Sequence, residues 1–203
     1  GRRRDTGIRD TSYHYLEAEH YDYDRKPWNT LHRRIVVGLG EDLWVVIDDL
    51  LSHTDHNFRL RWHLADCPCR YDAAAGTLEL TTKKGTLGIA VAGTPNPCDR
   101  FAVVRGSDVL DGVQGFASAY YGEQLPIPTL EADWRGCSSQ RMITTICPGV
   151  VAVPRLVGSN SNRQRWSVET PHQSHYLELT LPDRSSPRTL LHYEMASRPT
   201  EVP

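Results

Sequence analysis

The stretch His56–Leu64, HNFRLRWHL, alternates apolar and polar side chains without a break. His56, Phe58, Leu60, Trp62 and Leu64 share one face of an extended chain, and Asn57, Arg59, Arg61 and His63 share the other. A period of two is the mark of a half-buried strand, because successive side chains of a strand point to opposite faces. On the N-terminal side, Leu31–Gly38 (LHRRIVVG) and Leu43–Leu51 (LWVVIDDLL) read as an antiparallel pair turning at Leu39-Gly40-Glu41-Asp42. On the C-terminal side, Thr77–Thr82 and Thr86–Ala92 form the next hairpin, around Lys83-Lys84-Gly85. Phe101–Arg105 follows, then Gly115–Gly122 leading into a proline-marked crossing at Pro126 and Pro128, and then Arg141–Cys147. Val150–Val157, Gln164–Val168, His175–Leu181 and Leu190–Tyr193 complete the set.

Gly (15) and Pro (13) punctuate these runs at intervals of about ten residues, and no segment sustains a helical period. A dozen short strands are too many for one open sheet, whereas two stacked antiparallel sheets bury both apolar faces. The expected fold is all-β: an antiparallel two-sheet β-sandwich of the super-sandwich type, with room for a small extra C-terminal sheet. Residues 1–149 are assigned to the sandwich. Residues 150–203 are either its continuation or that small sheet.

The chain has 203 residues, 39% hydrophobic and 24% charged, which excludes disorder. The formal charge of −2 gives no bulk signal for nucleic acid or a membrane surface. No apolar run approaches the roughly 20 residues of a membrane helix. The chain starts at Gly1 with no signal-peptide core, so it is read as processed, trimmed, or cut from a longer protein. Gly1–Asp10, with Arg2-Arg3-Arg4, reads as a loop or frayed start, solvated or touching an acidic polymer. Five cysteines, two of them in Cys67-Pro68-Cys69, are too few for a disulfide scaffold and too close for a zinc knuckle. They are read as thiols.

Ser12–Asp24 reads SYHYLEAEHYDYD. If extended, it puts Tyr13, Tyr15, Glu17, Glu19, Tyr21 and Tyr23 on one face and His14, Leu16, Ala18 and His20 on the other. The row is either an edge-strand tyrosine ladder or a sugar-facing surface, since Tyr and His offer flat apolar faces with polar tips. Nine histidines and nine tyrosines supply the usual acids and bases for removing a proton beside a sugar carboxylate. Asp48, Asp49, His53, Asp55, His56 and His63 are close in sequence, but His56 and His63 fall on opposite faces, so no metal site is assigned. Neither a nucleophile elbow nor a phosphate loop is present in the sequence.

EAEHYDY (Glu17–Tyr23), HRRIVV (His32–Val37), WVVIDDLLS (Trp44–Ser52), HNFRLRWHL, GIAVAG (Gly88–Gly93), GFASAYYGEQLPIPTL (Gly115–Leu130) and TTICPG (Thr144–Gly149) occur in an order that resembles the C-terminal β-sheet region of heparinase II/III-like polysaccharide lyases. The likeness runs over about residues 13–149. It implies a lyase in which an N-terminal α-helical toroid packs on β-sheets. An acidic polysaccharide is then cleaved between them by β-elimination at a uronic acid.

It also implies zinc in some full-length relatives, held by a His-x-His or His-x-Asp segment, a turn and a His-Asn pair. The resemblance puts that segment upstream of Glu17, and His56-Asn57 lies in a later stretch, so no cofactor is assigned to this chain. The catalytic residues are left unassigned. His20, Tyr21, Tyr23 and Arg33 are assigned to the substrate. The expected role is scaffold and groove wall, inactive alone, in the periplasm or outside the cell. The alternative is a non-catalytic carbohydrate-binding sandwich in which tyrosines and Trp28, Trp44 or Trp134 stack on sugars. The third reading is a sandwich that docks a helical partner through an exposed apolar patch.

Overall fold

The computed structural model describes residues 2–4, 13–40, 42–109, 112–185 and 189–197, with the backbone alone at 2–4, 108–109 and 112. Seventeen strands lie among the described residues: β1 (Arg2–Arg4), β2 (Tyr13–His20), β3 (Leu31–Leu39), β4 (Leu43–His63), β5 (Cys69–Asp72), β6 (Thr77–Thr82), β7 (Gly85–Thr94), β8 (Arg100–Arg105), β9 (Ser107–Val109), β10 (Gly112–Gln114), β11 (Phe116–Ala117), β12 (Leu125–Pro126), β13 (Pro128–Pro148), β14 (Pro154–Ser159), β15 (Arg163–Glu169), β16 (Gln173–Thr180) and β17 (Leu190–Ser197). One large antiparallel sheet runs β1-β2-β3-β4-β13-β7-β6-β5, with β8 paired to β13. Strands β14-β15-β16-β17 form a separate four-stranded sheet, and β9–β10 and β11–β12 are short ribbons. Among the described residues no helix is long and apolar enough to cross a membrane.

The organising elements are the two 21-residue strands, β4 and β13. The two expected strands at Leu43–Leu51 and His56–Leu64 are one strand with a corner. Between the pairs Leu51↔Ser139 and His56↔Cys137, β4 carries four residues where β13 carries one. That mismatch bends both strands, as β-bulges do at sheet corners. The distal arm (Asn57–His63, Pro128–Trp134 and β8) folds back over the proximal half of the same sheet. Phe58, Leu60, Phe101, Leu130, Ala132 and Trp134 of the arm share a core with Leu78, Leu80, Ile89, Val91 and Met142.

The opposite face of the proximal half packs on the four-stranded sheet. Ile35, Val37, Ile47 and Ile143 meet Trp166, Val168, Leu177, Leu179 and Leu190 there. Each fully buried aliphatic chain in these cores contributes roughly 1.5–3 kcal/mol. Gly88 is fixed by this layering. A Cβ there would lie 2.1 Å from the Val150 carbonyl oxygen, where the chain after β13 crosses β7.

The all-β sandwich holds, with the C-terminal sheet as its second layer. Several boundaries are corrected. Pro128, expected in a crossing, opens β13, a position where the missing N–H is tolerated. Val150–Val153 lies outside any strand, and β14 begins at Pro154. Arg2–Arg4, expected as a loop, pairs with Glu17–Glu19 of β2. The rest of Gly1–Asp10 lies outside the described residues. The tyrosine row ends at His20, where the chain leaves the strand for a 3-10 turn at Asp22–Asp24. All five cysteines are free thiols, and burial pushes the Cys98 and Cys147 thiols up, away from reactivity.

Candidate functional site

Burial of charge dictates which polar residues this fold can offer to a ligand. Register places Glu19, Arg33, Asp49 and Arg141 in one row across β2, β3, β4 and β13, on the face covered by the C-terminal sheet. Arg141 donates from Nε and Nη2 to the Asp49 carboxylate at 2.7 and 2.8 Å and from Nη1 to Gln164 Oε1 at 3.0 Å. Arg33 donates to Glu19 Oε1 at 2.7 and 3.0 Å and to the Asp183 carbonyl at 3.1 Å, with Glu17 3.4 Å away. Arg33 is therefore 0% exposed and its charge is met by carboxylates. No sugar reaches it, which corrects its assignment to the substrate. The same face takes Tyr15, Glu17 and Glu19 out of contact with solvent.

The next residue along each strand faces the other way. Arg34 forms a bidentate pair with Asp48 (2.7 and 3.0 Å), and His32 Nε2 lies 2.7 Å from the same carboxylate. Burial pushes the Asp48 carboxyl up, but His32 and Arg34 outweigh it and hold it below its ordinary value. On the arm, Arg59 grips Asp133 (2.6 and 3.0 Å). Glu131 takes Arg61 and Arg100, each at 3.0 Å. Asp133 is likewise pushed up by burial and brought below its ordinary value by Arg59 and Arg100. In each pair the carboxylate is buried and the guanidinium partly exposed: 3% against 42% for Asp48 and Arg34, and 2% against 43% for Glu131 and Arg61. The acids lie beneath partly exposed guanidinium groups.

These arginines line a cleft of about 410 Å³ where the arm folds back on the sheet. His32, Arg34, Arg59 and Arg61 are part of its lining, and Arg34 sits 5.4 Å over the Trp62 ring. Tyr23 and Trp28 line it as well. They come from the segment between β2 and β3, whose Thr30 amide closes onto the Tyr23 carbonyl at 2.8 Å. Tyr23 and Trp28 are each 52% exposed and meet edge to face at 6.3 Å, and His20 lies 5.7 Å from Tyr23. The three rings make a solvent-facing aromatic shelf, and two of them, Tyr23 and Trp28, line the same cleft as the guanidinium groups. Such a shelf suits the apolar face of a pyranose, and the guanidinium forks suit carboxylate or sulfate substituents.

Of the residues assigned from sequence, His20 and Tyr23 join the shelf. Tyr21 is exposed beside them, with its hydroxyl on Glu19. Trp134 is fully buried in the arm core and is removed from the stacking candidates, whereas Trp28 and Trp44 remain exposed. His32, Arg34, Arg59 and Arg61 were not assigned, although the polar face of HNFRLRWHL and the alternation of Glu131-Ala132-Asp133 signal the arm's pairs.

Of the acids and histidines close together in sequence at Asp48–His63, four have other partners. Asp48 faces an arginine, and Asp49 faces the other layer. His56 is bonded to Thr54 at 3.0 Å, and His63 to Thr129 at 3.1 Å. Among the described residues no three His, Cys, Asp or Glu side chains gather to hold an ion.

Solved structures with the same fold include "Crystal Structure of Heparinase III", with a TM-score of 0.66 and 15% identity over 83% of this chain. Another is heparan sulfate lyase HepC from Pedobacter heparinus, with a TM-score of 0.65 and 14% identity over 89% of this chain. The HepC mutant structure aligns over 98% of this chain, with a TM-score of 0.62 and 15% identity. The chain spans only 26–28% of the length of those proteins. No curated protein sequence matches it. The family model described as "Heparinase II/III-like, C-terminal" matches residues 1–118, more than half of the 203. The chain thus belongs to the heparinase II/III-like C-terminal domain family.

Proposed function

We propose that this domain forms one wall of the polysaccharide groove of a lyase that cleaves a uronate-containing chain by β-elimination. The observation that carries the reading is the cleft itself. Exposed rings of Tyr23 and Trp28, with His20 beside Tyr23, line it together with the partly exposed guanidinium groups of Arg34 and Arg61. Stacking holds the sugar plane, and the arginines neutralise its carboxylate, the condition for acidifying the adjacent C–H. The abstracting base and its partners belong in this reading to an α-helical toroid elsewhere in the full protein, so the 203 residues alone orient substrate without turning it over. An envelope or secreted location goes with a polymeric external substrate.

A second observation supports a partner domain. Leu16, Val36, Trp44 and Ile146 lie on neighbouring strands of the sheet face next to the cleft, with Leu16 and Trp44 exposed. Apolar side chains in such a row are covered in an assembled protein.

The test is calorimetric titration of this domain with fragments of heparan sulfate, chondroitin and alginate, and with neutral dextran. Binding of at least one uronate polymer, weakening with salt, and none of dextran is expected. Equal binding of dextran, or none of any uronate polymer, overturns the reading. In parallel, the full-length protein should raise the ultraviolet absorbance of unsaturated uronate, and the isolated domain should not.

A further inference from the structure

The aromatic shelf is built on a short irregular segment, yet it is held from outside the region that carries the family signature. Residues 21–30 leave β2, pass through the Asp22–Asp24 turn and enter β3 at Leu31. Within the segment, Asn29 has a positive φ of 45°. Asparagine enters that region more readily than most residues, so the turn is not strained and what must be fixed is the placement of the segment.

The constraint comes from the loop between β16 and β17 of the C-terminal sheet. Arg184 Nη2 donates both to the Asp24 carboxylate and, at 3.2 Å, to the Asn29 carbonyl oxygen. One guanidinium nitrogen thus ties together both ends of the stretch that displays Tyr23 and Trp28. The same loop is anchored beneath: the Asp183 carbonyl accepts from buried Arg33, and the Thr189 amide donates to Glu17 Oε2 at 3.1 Å. Ser185 donates to Asp183 and holds its carboxyl below the ordinary value, which keeps the loop's acid charged beside these arginines. Arg184 Nε is buried without an acceptor among the described residues, a cost that the two Nη2 bonds offset.

We infer that Arg184 is a positioning residue, through which the C-terminal four-stranded sheet sets the geometry of the Tyr23–Trp28 shelf that faces the cleft. The inference rests on the groove reading above for its ligand, but the latch itself is independent of any ligand. The family match ends at residue 118, so this assigns the C-terminal sheet, which lies beyond it, a part in the site. Pre-ordering of the shelf spares a bound sugar the entropy of fixing two aromatic side chains.

The experiment compares the wild-type domain with Arg184→Gln, Arg184→Lys, Asp24→Asn and Trp28→Ala. Two readouts are taken: amide hydrogen exchange, and affinity for a heparin-derived hexasaccharide. Arg184→Gln should raise exchange across residues 21–30, the Thr30 amide above all, by about tenfold or more, with β14–β17 unchanged. It should also weaken the hexasaccharide by about five- to tenfold, roughly the cost of ordering one or two side chains. Arg184→Lys should fall between, and Asp24→Asn should loosen the same segment from the opposite partner.

Unchanged exchange in residues 21–30, or a rise confined to β14–β17, overturns the latch. So does raised exchange with unchanged affinity while Trp28→Ala weakens binding, which leaves the groove reading standing. If Trp28→Ala leaves affinity untouched, the groove reading fails, and the latch is decided by exchange alone. If Arg184→Gln does not fold, Asp24→Asn decides it.

Discussion

Replacing Trp28 with alanine removes the largest ring of the shelf without touching the core. A tryptophan can bury up to about 250 Å². Trp28 is 52% exposed, so about 130 Å² of that surface is open to a ligand, and a pyranose stacked on one face covers roughly half. At about 25 cal/mol per Å², some 65 Å² corresponds to about 1.6 kcal/mol, or roughly fifteenfold in Kd. Calorimetry with a heparin-derived hexasaccharide reads this directly. The wild-type domain should also lose Trp28 emission on saturation, a quench absent from the variant. Folding stability should fall by no more than about 1–3 kcal/mol, because the other half of the ring, about 120 Å², packs against the protein outside the main cores. A change in Kd below twofold, with the oligosaccharide still binding, refutes the stacking argument and moves the ligand elsewhere.

The buried row makes a different prediction. Arg141→Met strands the Asp49 carboxylate between layers and should cost about 3–5 kcal/mol, or roughly 6–20 °C in Tm for a domain of this size. Arg141→Met with Asp49→Leu should recover most of that loss in urea unfolding, and no recovery would mean that packing, not charge, is what Arg141 supplies. Acid should act through the outer pairs. The Asp48 and Asp133 carboxyls sit below their ordinary value of 3.8 in the fold, so their stabilising effect is full above that pH. It is lost as pH falls through the lower folded values. The stability gap between wild type and Asp48→Asn should therefore shrink as pH drops below about 3.8, and a gap constant with pH would contradict the pairing.

The local pattern carried much of the fold because burial on a sheet has a period of two. HNFRLRWHL, LHRRIVVG and TLELTT were legible as strands from alternation alone, and β6 occupies the span expected, Thr77–Thr82. The first half of β13 was misread although Leu130, Ala132 and Trp134 alternate with Glu131 and Asp133. Pro126, Pro128 and Gly136 interrupt the run, and acids on a covered face resemble loop residues until their arginines are known. Those arginines are on β4 and β8, about 30 to 75 residues away, and no local rule pairs them.

The same distance limits reading of the site. The sequence determined an all-β chain with an order of motifs that places it in the heparinase II/III-like family, and it pointed to His20 and Tyr23. Only the tertiary structure decided that Arg33 faces inward while Arg34, its neighbour, faces the cleft. Strand geometry makes adjacent residues opposite, but which face is solvent depends on which layer packs against the sheet. The fold-back of β4 and β13 likewise decided that Arg59 and Arg61 share a cleft with Trp28. That corner comes from a register mismatch between strands, a property of the pair and not of either sequence.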